Sequence, residues 1–504
     1  MALMHTFRNR VGAWVGGFDG ALSNRRLKGF RAARTHVNAL LAAAGPEMNA
    51  RARWLVRNNG YANNAVESWA ANAVGDGIKP SARVTIPRHK LKIQDLWLAW
   101  TDEADSEGLT DFYGLQRRAA REVFLTGEVF FRFRARRPGD GLRVPLQLQM
   151  LPSEMLPTEL SRPAAIEGHM IRQGIEFDRI GRRVAYHFHV RHPSDPTEPG
   201  LRGETVRVPA SEVLHILDPV EAGQLRGVSR FAPAMIKLLL LDQYDDAELD
   251  RKKVAALYAM FVTNPLGEGE DPFLPDEGDD LEVTPGSIVN LLPGQDVKVG
   301  APADSGGTYE PFQYRTLSQV AAALGLPYSY LTGDVTRGNF SNSRLSLMEF
   351  RRRVSSWQHS VMVYQMCLPV WRRWMDSAVL AGALSLPSYE RRRPDYLACE
   401  WLPTRWDWVD PLKDTSAELA QIAAGLKSRT QAVSERGYDA ETLDREIAAE
   451  RAREQELGLD FSGAARASTR APAGQQRDQK RDEREEDEDD DDPEDTLTER
   501  RERG

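Results

Sequence analysis

Cysteine is nearly absent: Cys367 and Cys399 are the only two in 504 residues. That excludes a disulfide-stapled secreted fold and any four-cysteine zinc site. No glycine is followed by lysine, so the loop that cradles nucleotide phosphates is missing. The Gly-x-Ser-x-Gly elbow of hydrolases and the His-Glu pair of zinc-protease helices are absent too. Gly75-Asp76-Gly77 lacks the third glycine of a dinucleotide fingerprint and follows a helical pattern instead of a strand. Long apolar runs are also missing. The two longest stretches free of Asp, Glu, Lys and Arg, 316–333 and 354–371, have eighteen residues each. Gly325 and Pro327 interrupt the first, and Gln358, His359, Gln365 and Pro369 the second, so neither suits a bilayer. Arg8 and Arg10 precede no continuous apolar segment of the secretory type. These absences predict a soluble intracellular protein without cofactor or resident metal and disfavour a standard NTPase, hydrolase or dehydrogenase.

What is present is a long chain with a lopsided charge. At 56.5 kDa it has room for about three domains of ~150 residues. A hydrophobic content of 41% with 11 Trp supplies material for a core. The net charge is −8, yet residues 482–495 hold 12 acids and one base, leaving the rest near +3. The other end is basic, with seven Lys/Arg against Asp19 up to Arg34. Residues 1–50 therefore read as a basic arm, mobile or ordered by partners. Residues after Gly463 read as a disordered acidic tail, too polar to fold. The more ordinary role of such a tail is solubility; a docking site for a basic partner is the alternative.

Between these ends the pattern is α+β. From Arg51, Trp54, Ala62, Ala65, Val66, Trp69 and Ala73 recur at helical spacing. Helices follow over 91–104 and 113–125, and strands over 129–134, 147–151, 174–189 (a hairpin turning at 178–181) and 209–216. Residues 231–262 predict one long helix with Pro233 near its start. A Pro/Gly/acid-rich stretch at 264–280 and a strand–turn–strand signal at 288–299 come next. Helix returns over 314–324 and 341–374, the latter kinked by Pro369, and two or three short helices are expected within 412–457.

Three clusters have chemical potential. His187, His189 and His192 include a pair on one strand face, as metal ligands would be, but lack a cysteine or an evident third ligand nearby. The ordinary reading is a half-exposed hairpin. Asp242, Asp246 and Asp250 line one helical face with Asp245 and Glu248 close by. Such carboxylates can hold a divalent cation for nucleic-acid cleavage, although a solvated or phosphate-repelling face is the commoner use. Arg351, Arg352 and Arg353, with Arg344 and Arg337 before them, and Trp357 and Trp371 on the same run, suit either phosphates or an acidic neighbouring subunit.

Several short segments, in order, give the chain a resemblance. They are Arg53-Trp54-Leu55-Val56-Arg57-Asn58-Asn59, Thr126-Gly127-Glu128-Val129-Phe130 and Leu148-Gln149-Met150-Leu151-Pro152-Ser153-Glu154. Further on are Gly174-Ile175-Glu176-Phe177-Asp178, Gly223-Gln224-Leu225-Arg226-Gly227-Val228-Ser229, Gly325-Leu326-Pro327-Tyr328 and Trp408-Val409-Asp410-Pro411-Leu412-Lys413. Over about 51–459 the chain resembles the lambda-type portal proteins of tailed phages. The resemblance implies a portal fold of wing, two-helix stem, clip, channel loop and helical crown, assembled as a closed ring of about twelve subunits. It implies a non-enzymatic conduit for double-stranded DNA, partnered by the terminase large subunit, a head–tail adaptor, and the major capsid and scaffold proteins. It involves no membrane; its place is the capsid vertex of the virion, and the host cytoplasm during assembly.

Laid on this sequence, the wing spans 51–230, the first stem helix 231–262 and the clip 263–313. The second stem helix region is 314–332, and the channel loop with the kinked helix 333–375. Residues 376–411 return to the wing and 412–460 form the crown. Trp-rich helices and mixed charge are expected to furnish the subunit contacts. Asp242, Asp246, Asp250, Arg337, Arg344, Arg351, Arg352 and Arg353 are the channel candidates, the acids forming rings that repel phosphate. The alternative is a metal-dependent DNA-processing enzyme using Asp242, Asp246 and Asp250. A third reading, a nucleic-acid-binding regulator built on the basic helix, is disfavoured by the near-neutral body.

Overall fold

The computed structural model describes residues 34–197, 203–256, 260–263, 296–299, 309–336, 340–404 and 411–459, with Gly29, Gly307 and Trp406 as single positions. They fall into two units that meet between Ala417 and Glu418.

The first unit opens with helices α1 (Val37–Asn58) and α2 (Gly60–Ala73), separated by Asn59. Asn59 is extended, and its side chain accepts the Ala62 N–H at 3.0 Å, so one asparagine ends the first helix and caps the second. Helices α3 (Pro87–Thr101) and α4 (Phe112–Thr126) follow, α4 capped by Asp111 and stopped by Gly127 at φ +88°. Helix α1 begins fourteen residues earlier than the arm boundary at 50 implied, and buries Val37 and Leu41.

Strand β1 (Lys79–Ala82) pairs far along the chain with β12 (Cys399–Leu402). Strands β2 (Glu128–Ala135), β3 (Leu146–Leu151) and β9 (Val213–Leu217) form an antiparallel sheet in the order β3-β2-β9. Strands β4 (Arg162–Pro163), β5 (Met170–Arg172), β6 (Ile175–Phe177), β7 (Arg183–His189) and β8 (Thr205–Pro209) form a meander in sequence order. The 178–181 turn closes β6 to β7 through the Gly181 N–H to the Asp178 carbonyl, as expected. Along β2, Val129, Phe131 and Phe133 enter the large core, while Phe130 points into a second core between the two sheets. Both faces of the strand are thus used.

Helix α5 (Met235–Ala256) is shorter than the 231–262 expected. Met260–Thr263 is strand β10, pairing with β11 (Asp296–Val299). Its β-branched and aromatic residues, Phe261, Val262 and Thr263, favour the pleated conformation over another helical turn. The predicted strand at 288–292 lies outside the described residues. Helices α6 (Tyr309–Leu324) and α7 (Tyr328–Thr332) lead to α8 (Phe340–Trp357). That helix continues unbroken through a π-helical stretch, Gln358–Cys367, into α9 (Leu368–Leu380). A wide π-helical turn thus stands just before Pro369, where the kink is expected. The Leu368 N–H reaches back to the Val363 carbonyl, and the looser register accommodates the proline ring without a break. Gln358 donates to the Ala73 carbonyl, and Gln365 bonds both the N–H and the carbonyl of Leu217, each at 2.9 Å. Helix α10 (Tyr389–Leu397) precedes β12.

The tryptophans are core, contrary to the expectation that they furnish subunit contacts. Trp69, Trp97, Trp100, Trp357, Trp371 and Trp374 are all buried. The Trp97 ring lies 5.0 Å from each of Trp100, Trp371 and Trp374. Among the described tryptophans, Trp54 stands out as half-exposed.

Within the second unit, α11 (Pro411–Ala423) enters from the first, followed by α12 (Arg429–Ser434) and α13 (Ala440–Leu457). Lys427 bridges Glu418 and Glu435, and Asp439 caps α13. Leu419, Leu426 and Leu457 stay exposed.

The aromatic cluster fixes α3, α9 and β12 together. Trp100→Ala should therefore cost about 3–5 kcal/mol, the range for removing a buried large aromatic. A lowered denaturant midpoint at unchanged slope is the measurement that checks it.

Candidate functional site

The residues that carry the resemblance converge on one buried polar knot. Glu128, 1% exposed, opens β2 directly after Gly127. Its Oε1 accepts the Ser153 hydroxyl at 2.6 Å and the Arg226 Nε at 2.8 Å. Its Oε2 accepts the Gly227 N–H at 2.8 Å and the His215 Nε2 at 2.9 Å. Arg226 is equally buried and donates its other N–H groups to the carbonyls of Leu156 (2.8 Å), Ser153 (3.0 Å) and Gln173 (3.4 Å). Burial alone would raise the Glu128 carboxyl. The Arg226 charge and the His215 bond outweigh it and hold the group well below the ordinary carboxylate range. Burial pushes the His215 imidazole down to about 4, against the pull of Glu128. His215 is therefore neutral at pH 7, with its Nε2 proton toward Glu128 and its Nδ1 accepting from the Arg183 Nη1 at 3.3 Å.

Two glycines make the knot possible. A Cβ on Gly127 would lie 2.2 Å from the Val228 nitrogen, and one on Gly227 would lie 2.2 Å from the Gly127 carbonyl carbon. The two backbones cross where no side chain fits. Beyond the crossing, the Ser229 hydroxyl donates to the Leu125 carbonyl at 2.6 Å and the Arg230 N–H to the Phe124 carbonyl at 3.2 Å. These bonds satisfy the carbonyls that end α4 and fix the approach to α5. Arg53 adds a brace from α1, bonding both Glu122 and Glu154. The sequence reading does not single out Glu128, Arg226 and His215 as a set. The available signal is a charged residue beside a glycine in two otherwise apolar stretches.

From this root, α5 and α6 run antiparallel. Lys237 bonds Gln319, Asp245 accepts from the Tyr309 hydroxyl at 3.0 Å and the Gln313 Nε2 at 3.2 Å, and Lys252 lies 5.6 Å over the Tyr309 ring. Buried Leu238, Leu241 and Glu248, with Asp245, form the inward face of α5. At 100° per residue, two rows flank that face. On one side lie Ile236, Leu240 and Tyr244, all exposed; on the other lie Asp242, Asp246 and Asp250, with exposed Leu239 and Leu249 among them.

The three aspartates are not equivalent. Asp242 is half-buried and accepts from the Asn59 Nδ2 at 3.1 Å, Asp250 pairs with Lys253 at 3.0 Å, and Asp246 is exposed. Among the described residues no group of three His, Cys, Asp or Glu side chains is placed to hold a metal ion. The metal-dependent alternative therefore has no support. His187 instead bonds Glu176 at 3.0 Å, alongside His169 at 2.9 Å and Arg207 at 2.7 Å. That carboxyl is held down to about 2, first by the Arg207 hydrogen bond.

The arginines are scattered in role. Arg337 lies outside the described residues. Arg344 reaches Asp414 at 3.6 Å, Arg351 lies 5.0 Å over the Trp406 ring, Arg353 bonds Glu349 on its own helix, and Arg352 is exposed. Trp357 and Trp371 are buried and unavailable to stack on bases. Among the described residues no helix is long and apolar enough to cross a membrane.

Residues 23–358 match the profile of the family described as phage portal protein, lambda family. The probable portal protein of Halomonas phage phiHAP-1 is 28% identical over 62% of this chain, a match spanning 61% of that protein's length. Portal protein B of Escherichia phage lambda is 23% identical over 84% of this chain and 86% of its own. Among solved structures, a chain in the neck of an empty GTA particle aligns with TM-score 0.46 and 14% identity, over 84% of this chain and 97% of that one.

The knot makes stability depend on pH in a stated direction. His215 takes up its proton in the unfolded chain near 6.5 but in the folded chain only near 4, so stability is full above 6.5 and falls as pH drops between them. The loss is on the order of 3 kcal/mol. Glu128, whose folded value is depressed, loses its contribution below about 4.5. Denaturant titrations at pH 7 and pH 5 should show about 2 kcal/mol of this loss in the wild type and a smaller one in His215→Gln.

Proposed function

The chain belongs to the lambda family of phage portal proteins, and from that premise we propose how this subunit builds and lines a conduit. As a portal protein it is a structural component and not an enzyme. Roughly a dozen copies close into a ring at one capsid vertex, because a heterologous contact repeated around an axis must close or grow without limit. Double-stranded DNA passes through the hole, driven by the terminase large subunit. A head–tail adaptor binds one end, and the major capsid and scaffold proteins surround the wing.

In this reading α5 and α6 form the stem, the residues between them the clip, and the α/β part up to about 230 with β12 the wing. The channel loop spans about 333–339, and α11 to α13 form the crown. The observation that carries the stem assignment is the division of α5 into three faces. One face packs on α6, one presents Ile236, Leu240 and Tyr244, and one presents the aspartates. An apolar row 72% and 57% exposed at its first two positions is covered by a neighbouring copy, each side chain contributing about 1.5–3 kcal/mol when buried. The acidic row then falls on a different surface from the subunit contact. Repeated around the ring, Asp246 forms a belt that keeps phosphates at a distance, so that the duplex slides instead of sticking.

Three measurements test this. The solution mass of the purified protein, with images of the same fraction, should give rings with a central hole. Ile236→Asp combined with Leu240→Asp should abolish rings while leaving the circular-dichroism spectrum unchanged. Asp246→Lys should still form rings but slow packaging or retain DNA; unaltered packaging and retention would remove the acidic belt from the mechanism.

A further inference from the structure

One cationic surface lies away from the helix pair. Arg132 and Arg134 on β2, and Arg136 just beyond its end, alternate along the strand, so they share one sheet face at a repeat of ~6.8 Å. It is the face of Phe130, continued past the edge of the second core. Glutamines, not carboxylates, orient two of the three. The Arg134 Nε donates to the Gln149 Oε1 at 2.9 Å, and the Arg136 Nε to the Gln147 Oε1 at 2.8 Å. Gln147 is itself pinned through its Nε2 to the carbonyls of Glu103 (2.9 Å) and Asp105 (3.2 Å). The buried Arg132 Nε has no acceptor among the described residues.

With Nε occupied, the two terminal nitrogens of Arg134 and of Arg136 are left to form a fork for a carboxylate or phosphate. No described carboxylate lies within 4.0 Å of these three guanidinium groups, although many other arginines of the chain have one. Burial, and then the charges of Arg132 and Arg136, hold Arg134 below its ordinary value. Two cations ~7 Å apart repel by about 2 kcal/mol at an effective dielectric of ~20. A half-buried row of like charges, held in place by neutral side chains, is oriented for an anion.

We propose that the Arg132–Arg134–Arg136 ladder binds an extended acidic polypeptide, the segment 482–495 of another copy of this chain. Alternate residues of an extended chain repeat at the same ~6.8 Å as the backbone positions of the three arginines, and this segment has 12 acids in fourteen residues. Duplex DNA fits less well. Glu212 lies close enough to act on Arg134, and Asp140 accepts the Arg137 N–H at 3.1 Å, so carboxylates border a strip only one strand wide. A wide duplex would bring its phosphates onto them, whereas a single peptide strand would not.

The test uses the full-length chain with its own twelve acids at 482–495 changed to the matching amides, so that the ladder is not already occupied. A fluorescent peptide of residues 482–495 is titrated against it by anisotropy. Saturable binding is expected, weakened about tenfold by Arg132→Gln, Arg134→Gln and Arg136→Gln together, and unchanged by Arg88→Gln at an exposed position elsewhere. Gln149→Met, which keeps every charge but frees Arg134, should weaken it about threefold; this variant decides the matter if the triple variant fails to fold. The amide version of the peptide should not bind. Equal affinity for wild-type and ladder variants overturns the proposal. So does a 20-base-pair duplex that displaces the peptide and itself depends on the same arginines, an outcome that assigns the strip to nucleic acid.

Discussion

Burying Glu128 against Arg226 imposes more geometry on this chain than any other contact. Each ion loses several kcal/mol of hydration on leaving water, and their mutual attraction recovers that only when the remaining hydrogen-bonding capacity is met. Glu128 receives four donors, and Arg226 finds three backbone carbonyls besides its partner. Those groups come from β2, β9, the 153–156 turn, the loop at Gln173 and the 226–227 segment. A displacement in any one of them leaves a buried charge short of a partner. The requirement extends to the glycines, because the Gly227 N–H reaches Oε2 only where its backbone meets that of Gly127 with no Cβ between them. The pair does not need to add net stability to have this effect. Its contribution is to exclude other arrangements of the five segments.

The consequence for function is mechanical. Helix α5 departs a few residues after the knot; Phe231 in the approach, and Met235 and Leu238 in its first turn, pack into the main core. Its direction is therefore set by the part of the subunit that holds both sheets. Helix α6 is aligned on it through Asp245, Tyr309 and Gln313, polar contacts whose geometry is stricter than that of an apolar seam. In the proposed ring a small error in the direction of α5 would be repeated in every copy, and the ring would fail to close. A root that tolerates little displacement is what such an assembly requires.

Much of the architecture is legible in the sequence because it follows from periodicity. The strands at 129–134 and 147–151, the 178–181 turn and the helices on either side of them are read from residue alternation and spacing. The end of α5 is harder to read, since Ala255 and Ala256 continue a helical pattern while Phe261 and Val262 belong to a strand. The π-helical turn before Pro369 is not legible either, because a rule about α-helices says nothing of a turn held by Gln358 and Gln365 through contacts far along the chain. The tryptophans illustrate a third limit. Composition gives their number, but a helix bearing Trp97 and Trp100 looks the same whether they meet a neighbouring subunit or Trp371 and Trp374. The knot is the least legible feature, since Glu128, His215 and Arg226 are brought together only by the fold.

Arginine carries the same charge in at least three settings here, and net charge distinguishes none of them. Arg226 is buried with a full set of acceptors and acts as a structural tie. Arg353, and Arg344 more weakly, have a carboxylate nearby and are partly neutralised in place. Arg132, Arg134 and Arg136 have no described carboxylate within 4.0 Å, and Glu212 acts on Arg134 only from beyond that distance. A conduit for a polyanion has to separate these uses. Unpaired cations facing a lumen would bind phosphate and resist translocation, whereas the use proposed for these arginines is to recognise an acidic chain. The exposed acids of α5 and the arginines of β2 lie on separate elements, as that proposed division requires. The arrangement of charge therefore distinguishes these settings, and a body near +3 is only the sum that remains.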